Sequence, residues 1–478
     1  MRLLIVMGFC SLCSSGLIAQ STQDKAKVIQ AVDDHQADLI HLSDQIWAFA
    51  ETALKEYQSS KVLADYAEEQ GFKVERGVAG MPTAFVASFG TGRPIIGVLG
   101  EYDALPGLSQ QASPDKQPLV EGAPGHGCGH NLFGAASLGA AIAVKEWMEK
   151  TGATGTVRFY GTPAEESVGG KVYMARAGLF DDLDACLDWH PDYQTKASTQ
   201  SSQAVIDYLV NFHGKAAHAA FDPWNGRSAL DGVESFVDGI NLLREHVHPS
   251  VRIHYVITKG GQVPNVVPEE AQVWIWIRDS KMPGVLAVSE RMKEIAKGAA
   301  LIAGVESEVV LQNGIYDEIP NRRGAAVLQS NLEMLGAIEY TEEEIAFAKE
   351  LQKSTGIEEK GLDASITPLE PTAPDPPGGS TDVGDVSWIV PEISLVVTTA
   401  PVATPWHAWP VVACGGMSIG HKGMLYAAKA LGLTMMDLFM QPETLKEMKA
   451  EFLERKGDQT YEAMLPVGPP PIPENGKQ

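Results

Sequence analysis

Pro94-Ile95-Ile96-Gly97-Val98-Leu99-Gly100 is an apolar run without alternation, closed by proline at one end and glycine at the other. A strand with one face in water alternates polar and apolar residues, whereas a strand covered on both faces does not. The run therefore reads as an inner strand of a parallel sheet with helices on both faces. Its surroundings agree. Helical spacing covers 24–56 and 59–71, and short strands follow at 72–76 and 83–89. Beyond the run come a helix at about 131–150, a strand at 156–160, a helix near 167–178 and a strand at 185–188. Strands alternating with helices predict an α/β domain around a largely parallel sheet.

The pattern changes near residue 200. Strands are expected at 203–213, 251–258, 271–278 and 307–312, with helices at 226–247 and 285–302. The order β-α-β-β-α-β is ferredoxin-like and makes a complete small α+β domain. Helices at 323–335 and 341–355, a Pro/Gly-rich loop over 368–379, a strand at 393–398 and a helix at 420–439 then restore the first domain. The expected division is a signal peptide at 1–19, a larger α/β domain at 20–200 and 316–465, an inserted smaller domain at 201–315, and an extended, mobile tail at 466–478.

A chain of 478 residues is too long for one core, which agrees with two domains. Its net charge of −24 repels phosphates and anionic lipids and argues against a nucleic-acid partner. Met1-Arg2, the apolar run Leu3 to Ile18 and the small Ala19 look like an export signal, so a periplasmic or secreted protein, soluble after signal removal, is expected. Beyond that segment stand Cys128, Cys186 and Cys414. Three cysteines form no complete disulfide framework, and a free thiol in an oxidising compartment needs burial or a metal.

Four stretches carry chemistry. Gly125-His126-Gly127-Cys128-Gly129-His130-Asn131 is a Gly-rich turn before a helix, and Cys128 and His130 are ligand types for zinc and similar divalent ions. Gly161-Thr162-Pro163-Ala164-Glu165-Glu166 ends a buried strand, where open α/β sheets bind ligands. Adjacent residues of a regular strand point opposite ways; Pro163 breaks that regularity, so both carboxylates could face one cleft. A solvated pair opening a helix is the alternative. Asp188-Trp189-His190 closes another strand. Pro405-Trp406-His407 and the later His421 offer a further ligand, and spacing alone does not choose between the two histidines. Trp189, Trp406 and Trp409 lie beside these residues and could pack on an aryl group or belong to the core.

Together with Gly100-Glu101-Tyr102-Asp103-Ala104-Leu105-Pro106, the run from Gly378 to Val386 and the ending at 419–431, these motifs resemble the aminoacylase/carnosinase superfamily of dinuclear metallopeptidases. Within it they resemble the branch that holds the p-aminobenzoyl-glutamate hydrolases and the plant auxin-conjugate amidohydrolases. Asn131, where many relatives have aspartate, resembles the former rather than the latter.

The resemblance implies two divalent ions, zinc or manganese, bridged by Cys128 and completed by His130, Glu166, His190 and His407, the last preferred over His421. It implies Glu165 as general base and Asp103 as support for the ligands. It implies that 20–200 and 316–465 form the catalytic domain and 201–315 a lid or dimerisation domain, on which His218, in Gly214-Lys215-Ala216-Ala217-His218-Ala219, reaches a partner's site in a homodimer to steady the oxyanion and Asn265 contacts substrate. The implied activity is cleavage of the amide bond of N-acyl or N-aroyl amino acids or dipeptides by a metal-activated water. Two other classes are set beside it: a non-catalytic metal- or substrate-binding protein, and a hydrolase using Cys128 as nucleophile with His190 or His407 as base.

Overall fold

The computed structural model describes residues 22–371 and 378–473. The expected signal peptide and part of the 368–379 loop lie outside them. Helices α1 (22–34), α2 (Gln36–Phe49) and α3 (Tyr57–Glu69) precede strands β1 (Lys73–Arg76), β2 (Phe85–Thr91) and β3 (Ile95–Gly100). Then follow α4 (His130–Thr151), β4 (Gly155–Gly161), α5 (Gly170–Arg176), β5 (Ala185–Asp192) and β6 (Lys196–Ser198). The strand order in the sheet is β1-β2-β4-β3-β5, continued by a later strand, β11 (Glu392–Thr398), and then β6. The four inner strands β4, β3, β5 and β11 are parallel. The flanking strands β2 and β6 run antiparallel to them.

The run quoted first forms β3, in the middle of this sheet. Val98 enters the apolar cluster on one face and Leu99 the cluster on the other. Double burial explains why that strand carries no polar alternation. On the first face α4 packs between the sheet and a late helix, α12 (Ser418–Met440). Small residues permit this approach: a Cβ on Gly134 would stand 2.8 Å from the Glu101 carbonyl oxygen.

The second sheet has the order β10-β7-β9-β8, from β7 (Ala204–His213), β8 (Arg252–Lys259), β9 (Glu270–Asp279) and β10 (Glu306–Ile315), all antiparallel. Helices α6 (Ala229–Leu243) and α7 (Met282–Ala303) pack on one face, over Ile206, Val273, Ile275 and Ile277. The element order and strand order are those of a ferredoxin-like domain.

Helices α8 (Arg322–Leu335), α9 (Glu342–Thr355), α10 (Val383–Ser387), α11 (Trp409–Gly415) and α13 (Pro442–Lys456) complete the larger unit. Among the described residues no helix is long and apolar enough to cross a membrane.

Three local expectations are corrected and one helix is added. The helical pattern over 24–56 breaks at His35 and stops at Phe49, because Ala50 takes a left-handed conformation (φ 44°). The helix expected near 167–178 is only Gly170–Arg176, since left-handed Ala164 (φ 61°) opens a turn first. Helix α13 has no counterpart in the sequence pattern: it buries only Met448 and Phe452, too thin a stripe to read. The start of the tail is held against the larger unit, since Arg176 donates to the carbonyls of Pro466 and Gly468 at 3.1 and 2.8 Å.

One buried charge ties the larger unit together behind the sheet edge. The Lys171 ammonium is fully buried, donating to Glu101 and, at 2.6 Å, to Asp382, whose other oxygen accepts the Lys171 backbone N–H. Lys171→Met would leave two buried carboxylates without their cation, so a loss of about 3–5 kcal/mol is expected in urea unfolding. Burial already holds the Asp382 carboxyl above its usual range, and losing Lys171 raises it further. A raised carboxyl binds more protons folded than unfolded, so the variant's stability falls as pH rises. Its deficit against the parent should therefore narrow in acid.

Candidate active site

The two sheets face each other across a cavity of about 750 Å³. Its walls carry Cys128, Glu165, Glu166, His190 and His407 from loops at one edge of the larger sheet. Each loop has a local reason for its shape. Cys128 and His130 project together because Gly129 between them is left-handed (φ 78°), and a Cβ there would meet Pro191 at 2.9 Å. Glu165 and Glu166 follow left-handed Ala164, so the chain leaves β4 without strand alternation. His407 is itself left-handed (φ 56°), and its N–H donates to the Gly127 carbonyl at 3.0 Å, fastening its loop to the Cys128 turn. Such strained non-glycine residues persist where the surroundings over-determine them, often at functional sites.

The side chains converge as two sets sharing one member. Cys128, His130 and His190 place donor atoms within 4.8 Å of one another, and so do Cys128, Glu166 and His407. Cys128 Sγ lies 3.3 Å from His190 Nε2, and Glu166 Oε2 lies 3.3 Å from His407 Nε2. Asp103 orients both sets: Oδ1 is 3.0 Å from His130 Nδ1, and Oδ2 accepts the Glu166 N–H at 3.0 Å. His190 Nδ1 lies 2.7 Å from the Pro191 carbonyl. A carbonyl only accepts, so Nδ1 carries the proton and Nε2 turns its lone pair to the cluster. His421 instead meets Asp44 at 2.9 Å and takes no part.

A third set, Glu101, His130 and Glu165, overlaps the first. Glu101 shares its motif with Asp103, but the motif alone singles out only the aspartate. Its Oε2 lies 3.0 Å from His130 Nε2.

The electrostatics are those of a cluster short of positive charge. Burial, then the charges of Glu101, Asp382 and Glu166, push the Glu165 carboxyl well above the usual range. Burial likewise raises Glu166 to about 7 and pushes the Cys128 thiol far up. Burial lowers His190 to about 4, leaving a neutral imidazole. At His130 burial acts downward, but Glu101 and Cys128 outweigh it and hold the ring well above its ordinary value. Buried anions need a compensating cation. Glu166 Oε1 is buried without a hydrogen bond, and Glu101 Oε2 and His130 Nε2, though 3.0 Å apart, are not aligned to share one. Sulfur, imidazole and carboxylate donors with unsatisfied atoms at one centre fit borderline divalent ions.

His218 and Asn265 are not brought to this cavity. Both are exposed on neighbouring loops of the smaller sheet, where the Ala219 N–H donates to the Asn265 carbonyl at 3.0 Å. Of the three tryptophans beside the ligands in sequence, Trp189 belongs to the core, whereas Trp406 stays beside the cluster with its ring 6.5 Å from that of His190. Trp189 is fully buried, donating to the Phe133 carbonyl, and Trp406 and Trp409 pack beside Leu351, Ala413 and Cys414. The smaller sheet instead contributes Trp274, Trp276 and Arg278, which no sequence motif marks. Among the described residues the three cysteines, Cys128, Cys186 and Cys414, are free and buried.

Comparison with known proteins agrees with this geometry. The family model "Peptidase family M20/M25/M40" matches residues 97–400. The B component of p-aminobenzoyl-glutamate hydrolase from Escherichia coli K12 is 40% identical over 471 residues, covering 93% of this chain and 98% of that protein. Mouse Xaa-Arg dipeptidase is 29% identical over 444 residues, covering 90% and 92%. Two solved structures share the fold. A dinuclear metal-binding peptidase of the M20 family from Bacillus subtilis has a TM-score of 0.58 at 18% identity, covering 85% of this chain and 99% of its own. An aminobenzoyl-glutamate utilization protein from Klebsiella pneumoniae has 0.55 at 17%, covering 83% and 97%. This chain is a metal-dependent amide hydrolase and belongs to peptidase family M20/M25/M40.

Proposed function

We propose that the chain hydrolyses the amide bond of N-acyl or N-aroyl amino acids, with p-aminobenzoyl-glutamate as the leading case. One observation carries the reading: two three-donor sets share Cys128 and open, beside Glu165, into a cavity that also holds a guanidinium with no carboxylate partner among the described residues. Cys128, His130 and His190 would hold one divalent ion, and Cys128, Glu166 and His407 a second, zinc or manganese. Bound there, such ions polarise a carbonyl and acidify water. Glu165 takes the proton of the attacking water and hands it to the leaving nitrogen.

Arg278 supplies the anchor for a substrate carboxylate. It is half-buried, donates to Ser380 Oγ at 3.2 Å and lies over the Trp276 ring at 5.1 Å. No carboxylate pairs with it among the described residues, which leaves most of its five donors for a ligand.

A second reading has an observation of its own. Asp188, Asp207 and Glu318 line the same cavity, and carboxylates there favour a basic group, such as the arginine that a 29% identical relative's name implies. One panel separates the two. The protein is stripped with a chelator, reloaded with zinc or manganese, and given p-aminobenzoyl-glutamate, N-acetyl-glutamate and alanyl-arginine. Loss on stripping, return on reloading and preference for the glutamate amides are expected. A metal-indifferent activity, or preference for alanyl-arginine, defeats the first reading.

Assembly and export belong to the same proposal. Exposed His218 and Asn265 suit contact with a second copy of the chain through the smaller domain, and the Leu3 to Ile18 run suits removal on export. Light scattering and intact mass of protein from the exporting cell should show a dimer shortened by its first nineteen residues; a full-length monomer would defeat both.

A further inference from the structure

The cavity's aromatic surface lies on the smaller sheet. In β9 Val273, Ile275 and Ile277 point into that sheet's own core, with no exposed surface. Strand alternation places Trp274, Trp276 and Arg278 on the opposite face, and all three line the cavity. That row is surplus to the fold, because the helices cover only the other face. An exposed tryptophan removes a large apolar surface from neither core nor interface, so its presence here calls for an occupant.

The two rings are held in defined positions. Trp274, 38% exposed, donates its indole N–H to Asp207 Oδ2 on the adjacent strand at 2.8 Å. Its ring lies 5.8 Å from that of Trp276, at an interplanar angle of 69°. The Arg278 guanidinium covers part of Trp276 and bridges to Ser380 on the opposing unit. Trp276 and Arg278 are one alternation apart on the strand, and the guanidinium lies 5.1 Å from the centre of the Trp276 ring. An aryl group resting on these rings therefore has a carboxylate anchor within one amide unit of it.

We infer that Trp274 and Trp276 form the acyl subsite and select a planar aryl group, with Arg278 on the same strand setting the distance to the carboxylate. The inference rests on the amide-hydrolase reading above and names its substrate class. Aromatic pairs prefer edge-to-face or offset contact, which two rings at a steep angle offer a third ring. Asp207 acts as a positioning residue, since it fixes Trp274 without needing to touch the ligand.

The test uses the full chain, reloaded with metal, in the parent, Trp274→Ala and Trp274→Phe forms. Two substrates share the leaving amino acid: p-aminobenzoyl-glutamate and N-acetyl-glutamate. The parent's preference for the aroyl substrate, as a ratio of kcat/KM, should fall about tenfold in Trp274→Ala, mainly through KM, and be largely kept in Trp274→Phe. An unchanged ratio overturns the inference. Calorimetric binding of both compounds to metal-free protein keeps it separable from the hydrolase reading. If neither compound is cleaved, the activity assignment falls, yet tighter binding of the aroyl compound that Trp274→Ala abolishes still supports the subsite. Equal affinities in parent and variant overturn it.

Discussion

Glu165→Gln is expected to lower kcat by about 10²–10⁴-fold while metal content and folding stay at the parent level. Glutamine keeps the shape of the side chain and loses only the ability to carry the proton. Glu166 is no substitute, since its Oε2 is directed at His407 and its backbone N–H at Asp103. The variant also resolves a competing role. Glu165 lies within 4.8 Å of donor atoms on Glu101 and His130, so it could instead be a ligand. A ligand's loss would deplete metal, and activity would fall for that reason. Steady-state kinetics must therefore be paired with metal analysis of the same sample. Full hydrolysis with full metal would remove Glu165 from the mechanism, and depleted metal would move it into the ligand set.

Local sequence carries much of this arrangement. The unalternating run at 94–100 announces a doubly covered strand because burial on both faces leaves a local trace. Cys128 and His130 are legible together because one left-handed glycine suffices to aim both. Glu166, His190 and His407 are legible as ligand types at the ends of strands or beside them, where sheets of this class place their sites.

What stays hidden depends on contacts distant in sequence. Lys171 meets Glu101 and Asp382, separated by 70 and 211 residues, and nothing near Lys171 marks it as buried. The alternation of β9 separates Trp274 and Trp276 from Val273 and Ile275 but does not say which face looks into a cavity; the packing of the two sheets decides that. Trp406 and Trp409 show the converse. They flank a cluster residue, yet both indoles pack on Leu351, Ala413 and Cys414 and neither lines the cavity, although the Trp406 ring stays 6.5 Å from that of His190. Proximity in sequence puts a ring beside the cluster without opening it to the cavity.

Cys128→Ala should remove both metal ions rather than one. Its sulfur is the only donor common to the two sets it joins, so alanine leaves His130 with His190 in one and Glu166 with His407 in the other. The Glu101, His130 and Glu165 set does not make good the loss, because Glu101 already pairs with Lys171 and Glu165 carries the proton. Two protein donors are fewer than the three or more that zinc sites use. Metal analysis after dialysis should show less than one ion per chain where the parent holds two, and hydrolysis should fall with it.

The same variant tests the nucleophile reading. A nucleophilic cysteine needs a depressed pKa and access to solvent. Here burial dominates and pushes the thiol up, the neighbouring Glu166 and Glu165 push the same way, and only His130 opposes them. Metal ligation would deprotonate that sulfur outright, which burial otherwise prevents. A thiol-reactive disulfide should therefore modify Cys128 slowly in metal-loaded protein. A nucleophile would keep its activity in chelator and lose it, with metal retained, in Cys128→Ala. A variant that still bound two ions would break the shared-donor geometry on which the two-metal assignment stands.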